Sequence, residues 1–187
     1  VKLLREENED NSSILDSMDE DISWLSEISE RFSKIGSKPQ LKNLSIAELI
    51  LEVSDYMKNR LPKQSGISIT NSGGSNINIR GDWILLRWAI ENIMKNAIDA
   101  IGTGNGAISI VISKNDNEIL LDMSDTGKGI NRADWKNIFR PGYSSKRRGW
   151  GLGLSLTQRI IEEIHGGTIQ VLRSKPGETV FRLNLPL

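Results

Sequence analysis

Asn92, Asn96 and Asp99 in the segment Glu91–Ala100 fall at i, i+4 and i+7, so a helix there carries two amides and a carboxylate on one stripe. Such groups offer oxygen ligands to a hard cation, and an Asn carbonyl does so without adding charge. Further on, Asp125 follows Ile119, Leu121 and Met123, which alternate onto one face of a strand and leave the acid at the strand end. A carboxylate only accepts hydrogen bonds, so it can take the exocyclic amino hydrogen of adenine but meets another acceptor at guanine O6. In Asp125-Thr126-Gly127-Lys128-Gly129-Ile130 the two glycines let the backbone pass close to a flat base or adopt positive φ. A third cluster, Gly149-Trp150-Gly151-Leu152-Gly153-Leu154-Ser155, opens a helix, where glycines admit anions and free amides favour phosphate. Just upstream, Ser144, Ser145, Lys146, Arg147 and Arg148 add hydroxyls and cations suited to a polyphosphate.

Taken singly, a solvated helix face, an ordinary Asp-Thr-Gly turn and a basic surface loop would account for these clusters. In this order they supply a metal ligand, a base reader and a phosphate cradle, which is what ATP requires. The glycine cluster is neither a Rossmann fingerprint, since no strand leads into it, nor a Walker sequence, since no Gly-Lys-Ser/Thr ends it.

The elements that must position these residues follow from periodicity. Ile14, Met18, Ile22, Leu25, Ile28, Phe32 and Ile35 form one stripe of an amphipathic helix, stopped by Gly36-Ser37-Lys38-Pro39. A stripe this narrow and isolated must pack on another helix or on a copy of itself. Residues 1–13 are polar and show no sustained period. A second unit opens at the capping box Ser45-Ile46-Ala47-Glu48, and Ile46, Leu49, Ile50, Val53 and Met57 give its helix a buried face up to Leu61-Pro62. Gly66–Thr70 and Ile77–Ile79 read as strands around a turn at Asn71–Ser75. Asp82 caps a long helix through Ala100. Ala107–Ser113 and Glu118–Ser124 form a hairpin about Asn115-Asp116-Asn117. A short helix Arg132–Ile138, a helix Leu152–Ile164 and a hairpin Thr168–Leu172/Thr179–Leu185 turned by Lys175-Pro176-Gly177 complete the chain. Helices alternating with hairpins predict an α+β, two-layer α/β sandwich with helices on one face of a mixed sheet, preceded by an isolated amphipathic helix.

Composition narrows the classes. The 187 residues are 37% hydrophobic, enough for one substantial core. Lys plus Arg and Asp plus Glu balance at 24 each, which argues against nucleic acid as a partner. The absence of cysteine removes disulfides and thiolate metal sites and is compatible with a reducing cytoplasm. No apolar run approaches the ~20 residues that span a bilayer. The opening Val1-Lys2-Leu3-Leu4 reads as the start of a piece of something longer, with room for a membrane anchor outside it.

The three clusters resemble the N box and the two glycine boxes of the GHKL ATPase superfamily, and Ile138-Phe139-Arg140-Pro141-Gly142-Tyr143 resembles the F box of its histidine kinases. The likeness spans about residues 40–187 and implies the Bergerat ATP-binding fold. It divides the chain into 1–38, part of a dimerisation and phosphotransfer helix of nitrogen-regulation type, and 39–187, the catalytic ATP-binding domain. It implies ATP and Mg2+, with Asn96 as the metal ligand, Asn92 beside the phosphates, Asp125 reading adenine and Gly127, Gly129 and Ile130 bordering the base. Asp99 completes the polar face. Tyr143, Ser144, Ser145 and Lys146 lie in a mobile lid, and Gly149, Gly151, Leu152, Gly153 and Leu154 belong to the phosphate cradle. Glu91 stands where related enzymes carry an acid near the γ-phosphate and is, with Asn92, a catalytic candidate. The resemblance further implies a homodimeric sensor kinase with a cytoplasmic catalytic domain and a response-regulator receiver domain as partner.

Two departures accompany the likeness. Gly142-Tyr143 replaces the phenylalanine that follows the proline in many members, and no phosphoacceptor His-Glu pair occurs in Ser12–Gly36. The sole histidine, His165 in Ile164-His165-Gly166-Gly167, reads as a cap or packing residue, and the five tryptophans read as packing residues, with Trp150 near the lid. The acceptor histidine therefore belongs outside this chain. A GHKL serine kinase, an ATP-sensing module without transfer and an ATP-driven clamp of gyrase or chaperone type are the alternatives.

Overall fold

The computed structural model describes residues 12–63, 65–72, 77–144, 146 and 150–187. The expected polar start at 1–11, the glycine turn at Gly73–Ser75, and Ser145, Arg147, Arg148 and Gly149 lie outside the described residues. The chain divides into two compact units, Val1–Pro39 and Gln40–Leu187. In the first, helix α1 (Ser12–Gly36) ends where expected, with the Ser37 N–H and hydroxyl both donating to Lys34 O. Met18, Ile22 and Leu25 of its apolar stripe are exposed. Among the described residues no helix is long and apolar enough to cross a membrane.

The second unit begins with strand β1 (Lys42–Ser45), which the sequence reading missed, directly before helix α2 (Ile46–Lys58). Ser45 is the N-cap, its Oγ accepting from the Glu48 N–H at 3.3 Å. Ile46, Leu49, Ile50, Val53 and Met57 are all buried, each side chain contributing about 1.5–3 kcal/mol. Truncating Leu49, fully enclosed, to alanine would cost roughly 2–5 kcal/mol. The helix stops at Lys58, earlier than Leu61-Pro62, because Asn59 forms the C-cap and successive i+3 bonds at Arg60 and Leu61 tighten the chain into a turn.

The main sheet contains β2 (Gly66–Asn71), β4 (Ala107–Lys114), β5 (Glu118–Asp125), β6 (Thr168–Lys175) and β7 (Glu178–Pro186), in the order β2-β4-β5-β7-β6. Strand β3 (Asn78–Gly81) instead pairs antiparallel with β1. Both expected hairpins form, but β2 lies parallel to β4 in the register Ile67↔Ile108, making the sheet mixed. A parallel pair needs a crossover, and helix α3 (Trp83–Ile101) lies within it. Ile108, Ile110 and Ile112 of β4, Ile119, Leu121 and Met123 of β5, and Phe181, Leu183 and Leu185 of β7 are buried on one face. On the other face Arg182 grips Asp122 with two bonds, Nε–Oδ1 at 2.7 Å and Nη2–Oδ2 at 2.6 Å. One apolar and one polar face explain why helices cover the sheet on a single side.

Asp82 caps α3 as expected, its Oδ1 accepting from the Ile84 and Leu85 amides, and Gly102 ends the helix at φ +69°. Helix α4 (Gly153–Arg159) runs on into a π turn, Ile160–Ile164, in which the His165 N–H donates to Ile160 O at 3.2 Å. The expected helix at Arg132–Ile138 is instead two 3-10 turns, Arg132–Asp134 and Asn137–Phe139. Asn131 Oδ1 caps the first, and the Trp135 indole N–H donates to Ile130 O while Arg132 stacks 3.8 Å from the ring centroid. These local bonds hold a tight loop where propensity favoured a helix.

Candidate nucleotide-binding site

Helix α3 is the spine of the site. Its polar stripe faces the segments that carry the other two clusters. Lys146 Nζ donates to Asn96 Oδ1 at 3.0 Å and is ion-paired with the Asp99 carboxylate. The ammonium stands in for a cation here. An amide oxygen beside a carboxylate is an oxygen-only donor set of the kind Mg2+ accepts, so these residues fit the metal. The Lys146–Asp99 pair is largely solvated and contributes no more than about 1 kcal/mol.

At the same C-terminal end of α3, Ala100 meets the acidic turn. A Cβ on Gly127 would come 2.5 Å from the Ala100 Cβ, and the Lys128 N–H donates to Ala100 O at 3.1 Å. Gly129 sits at φ +82° with Lys175 and Pro176 backbone where a side chain would be. Both glycines therefore serve close approach to protein backbone, and Gly129 also supplies the positive φ. Asp125 ends β5, 6% exposed, with Oδ1 accepting from the Gly127 N–H at 2.8 Å and Oδ2 left to accept from a ligand. Burial pushes its carboxyl up to about 6, against the lowering effect of the Gly127 bond. Ile130 is anchored away from the turn, its N–H donating to Ser174 Oγ at 2.8 Å.

Backbone contacts join Gly142 and Tyr143, where the expected lid begins, to Gly151. The Gly142 N–H donates to Gly151 O at 3.1 Å, and Gly151, at φ +66°, lies so near Gly142 and Tyr143 that a Cβ would meet backbone at 2.4 Å. Asp134 beside Tyr143 raises the phenol above its ordinary value. In the F box Phe139 packs edge-on against Phe181 of β7, ring centroids 6.4 Å apart. Ser144 Oγ accepts from the Lys146 N–H at 3.1 Å. Trp150 is exposed, and Leu152 and Leu154 are half-buried around the α4 start. Gly153 touches α3 directly, since a Cβ there would lie 2.2 Å from Asn92 Oδ1.

The structure thus brings Asn92, Asn96, Asp99, Lys146, Gly151 and Gly153 together, with the turn of Asp125 against Ala100 at the C-terminal end of α3. It does not bring Glu91. One residue along a helix turns the side chain by about 100°, and Glu91 faces α2, where Arg87 Nε lies 2.9 Å from its Oε1 and 3.3 Å from Glu52 Oε1. Glu91 belongs to the α2–α3 contact, and its expected place by the γ-phosphate is withdrawn. His165 is held as expected. The Asp82 N–H donates to its Nε2 at 3.0 Å, so the proton sits on Nδ1, which donates to Ile160 O at 2.7 Å. One residue escaped the sequence reading. Thr157, buried on α4, accepts from Asn92 Nδ2 at 2.9 Å, and only its i+4 spacing from Gly153 hinted that it faces the same way.

A family model described as histidine kinase-, DNA gyrase B- and HSP90-like ATPase matches residues 81–187, which include α3, the acidic turn, the lid segment and α4. The chain belongs to this ATPase family. It is similar to sporulation kinase B of Bacillus subtilis strain 168, 33% identical over 75% of the chain and 32% of that protein. It also resembles sensor histidine kinase ZraS of Escherichia coli K12, 38% identical over 58% of the chain and 23% of that protein. The chain therefore spans about a third or less of these relatives. Among solved structures, the catalytic domain of histidine kinase ThkA matches with a TM-score of 0.71 and 26% identity, over 78% of this chain and 95% of that one. ThkA in complex with response regulator protein TrrA has the same fold over 96% of the chain and 52% of that one, TM-score 0.76 at 21% identity. The ATPase family's α+β architecture is the one observed here.

Proposed function

We propose that the unit Gln40–Leu187 binds ATP with Mg2+ and delivers the γ-phosphoryl group to a histidine outside this chain, from which it passes to an aspartate of a response-regulator receiver domain. The observation that carries this reading is the Lys146 ammonium seated on Asn96 Oδ1 and the Asp99 carboxylate, at the C-terminal end of a helix whose next residue, Ala100, packs against the turn of Asp125. Asp125 accepts from the adenine amino group, Asn96 ligates the metal, and Lys146 reaches the phosphates. Asn96, with Asp99 beside it, would hold Mg2+, which would supply charge neutralisation for the phosphates. The residues contribute positioning and charge neutralisation, the main terms in phosphoryl transfer. Similarity to sporulation kinase B, ZraS and ThkA supports transfer over mere sensing. On this reading α1 is part of a dimerisation and phosphotransfer domain, the whole protein is a homodimer, and this part of it works in the cytoplasm.

The test is calorimetry with ATP and Mg2+, followed by labelling with γ-labelled ATP in a longer protein that supplies an acceptor histidine. Binding of adenine nucleotide with a magnesium-dependent gain, and acid-labile label on the added histidine, is the expected result. Binding without transfer would reduce the protein to a nucleotide sensor.

A further inference from the structure

Asn92 is held by a two-step hydrogen-bond relay. Its Nδ2 donates to Thr157 Oγ1 at 2.9 Å, and Thr157 Oγ1 donates to Gly153 O at 3.0 Å. A hydroxyl has one proton. The Gly153 carbonyl can only accept, so that proton is committed to it, and the Asn92 side must then donate. The NH2 end of Asn92 therefore faces Thr157, and its Oδ1 is turned toward the first turn of α4, against Gly153. Thr157 is 1% exposed, so water does not compete for the hydroxyl. Gly153 is a required partner, because any side chain there would occupy the space of the Asn92 amide.

We propose that Thr157 is a positioning residue that fixes the amide orientation of Asn92, so that the NH2 end is tied up and the acceptor oxygen is the end left for the cation of the nucleotide site. An oxygen so presented attracts a metal ion, its hydration water or an ammonium, and repels bare phosphate oxygens. Asn92 then acts beside Asn96 on the metal's surroundings, and Thr157 acts through Asn92 without touching ligand. The same relay ties the α3 stripe to the start of α4, since its last acceptor is the Gly153 carbonyl. This inference rests on the proposed nucleotide site and names how one of its residues is held.

The test compares Thr157→Val, which keeps the shape and loses the hydroxyl, with Thr157→Ser, which keeps the hydroxyl. The probes are adenosine, and ADP with and without Mg2+. Thr157→Val should bind adenosine like the parent, within about twofold, and lose on the order of tenfold of the magnesium-dependent gain in ADP affinity; Thr157→Ser should restore the gain. A direct readout accompanies these. The Asn92 side-chain amide protons, identified by their loss in Asn92→Asp, should exchange slowly in the parent and in Thr157→Ser, and fast in Thr157→Val. A full magnesium gain in Thr157→Val, or equal losses in Val and Ser, would show that Thr157 only packs. If Thr157→Val does not fold, fast-exchanging Asn92 amide protons in the parent overturn the proposal and slow ones uphold it. Failure of the parent itself to bind adenosine or ADP is a different result and rejects the nucleotide site as a whole.

Discussion

The Lys146 ammonium lies 3.0 Å from Asn96 Oδ1, fifty residues away in sequence, so a basic group of the expected lid occupies the oxygen expected to ligate the metal. On the proposed function, Mg2+ held at Asn96 would compete with the ammonium for that oxygen. Asn96→Ala should leave adenosine binding within about twofold and abolish the gain that magnesium gives to ATP. Calorimetric titrations with and without Mg2+ measure both. A mutant with the parent's magnesium dependence would place the metal ligand elsewhere.

On the proposed function, Asp125 governs base choice. Its free oxygen can accept from adenine's amino group and finds no donor at guanine O6. Losing a hydrogen bond to a charged group costs about 1.5–3 kcal/mol, so Asp125→Ala should weaken ATP binding more than about tenfold while the circular dichroism spectrum persists. Equal affinities of the parent for ATP and GTP would sink the assignment.

The same carboxylate sets a pH dependence. Its pKa rises from 3.8 to about 6 on burial, so between these values the native state holds more protons than the unfolded one. This group's contribution to stability is therefore full below pH 3.8 and declines as pH rises to about 6, by roughly 3 kcal/mol in all. Adenine recognition uses the ionised form, so adenosine affinity should climb between about pH 4.5 and 6.5 and then level off. Adenosine avoids the titration of ATP's own phosphate. In Asp125→Asn the pH dependence should flatten, and a flat profile in the parent would contradict the buried-acid reading.

His165 should behave as a structural residue. Replacing it by alanine strands the buried Asp82 N–H and leaves Ile160 O with only its backbone donor, a loss of roughly 1–3 kcal/mol in urea unfolding. Burial lowers its pKa below the ordinary 6.5, against smaller raising effects from Ile160 and Asp82. The unfolded state thus binds the proton more tightly, and this contribution to stability is present above about pH 6.5 and lost as pH falls through the native value.

Incubated alone with γ-labelled ATP, the chain should acquire no acid-labile phosphate, because the ring nitrogens of His165 are both occupied and attack requires a nucleophile about 3–3.5 Å from phosphorus. A longer protein restoring an upstream histidine should be labelled. Label on this chain that disappears in His165→Ala would make His165 the acceptor.

Short-range signals were legible without coordinates. The Ser45 and Asp82 caps, the stop at Gly36, the alternation of Ile119, Leu121 and Met123, and the i, i+4, i+7 stripe of Asn92, Asn96 and Asp99 are all written within a few residues, where backbone hydrogen bonding and helix or strand period dominate. The parallel pairing of β2 with β4 was not, because it joins residues about forty apart through a crossover that no local pattern marks. Glu91 and Asn92 show the same limit from the other side: adjacent in sequence, they part because the packing of α2 and α4 on α3 decides which way each faces. Gly127, Gly151 and Gly153 looked like space left for a ligand, and tertiary packing fills each with protein. Residue types and local spacing determined what chemistry this protein carries; which groups meet was decided by helix orientation and by contacts between segments that only the folded core holds together.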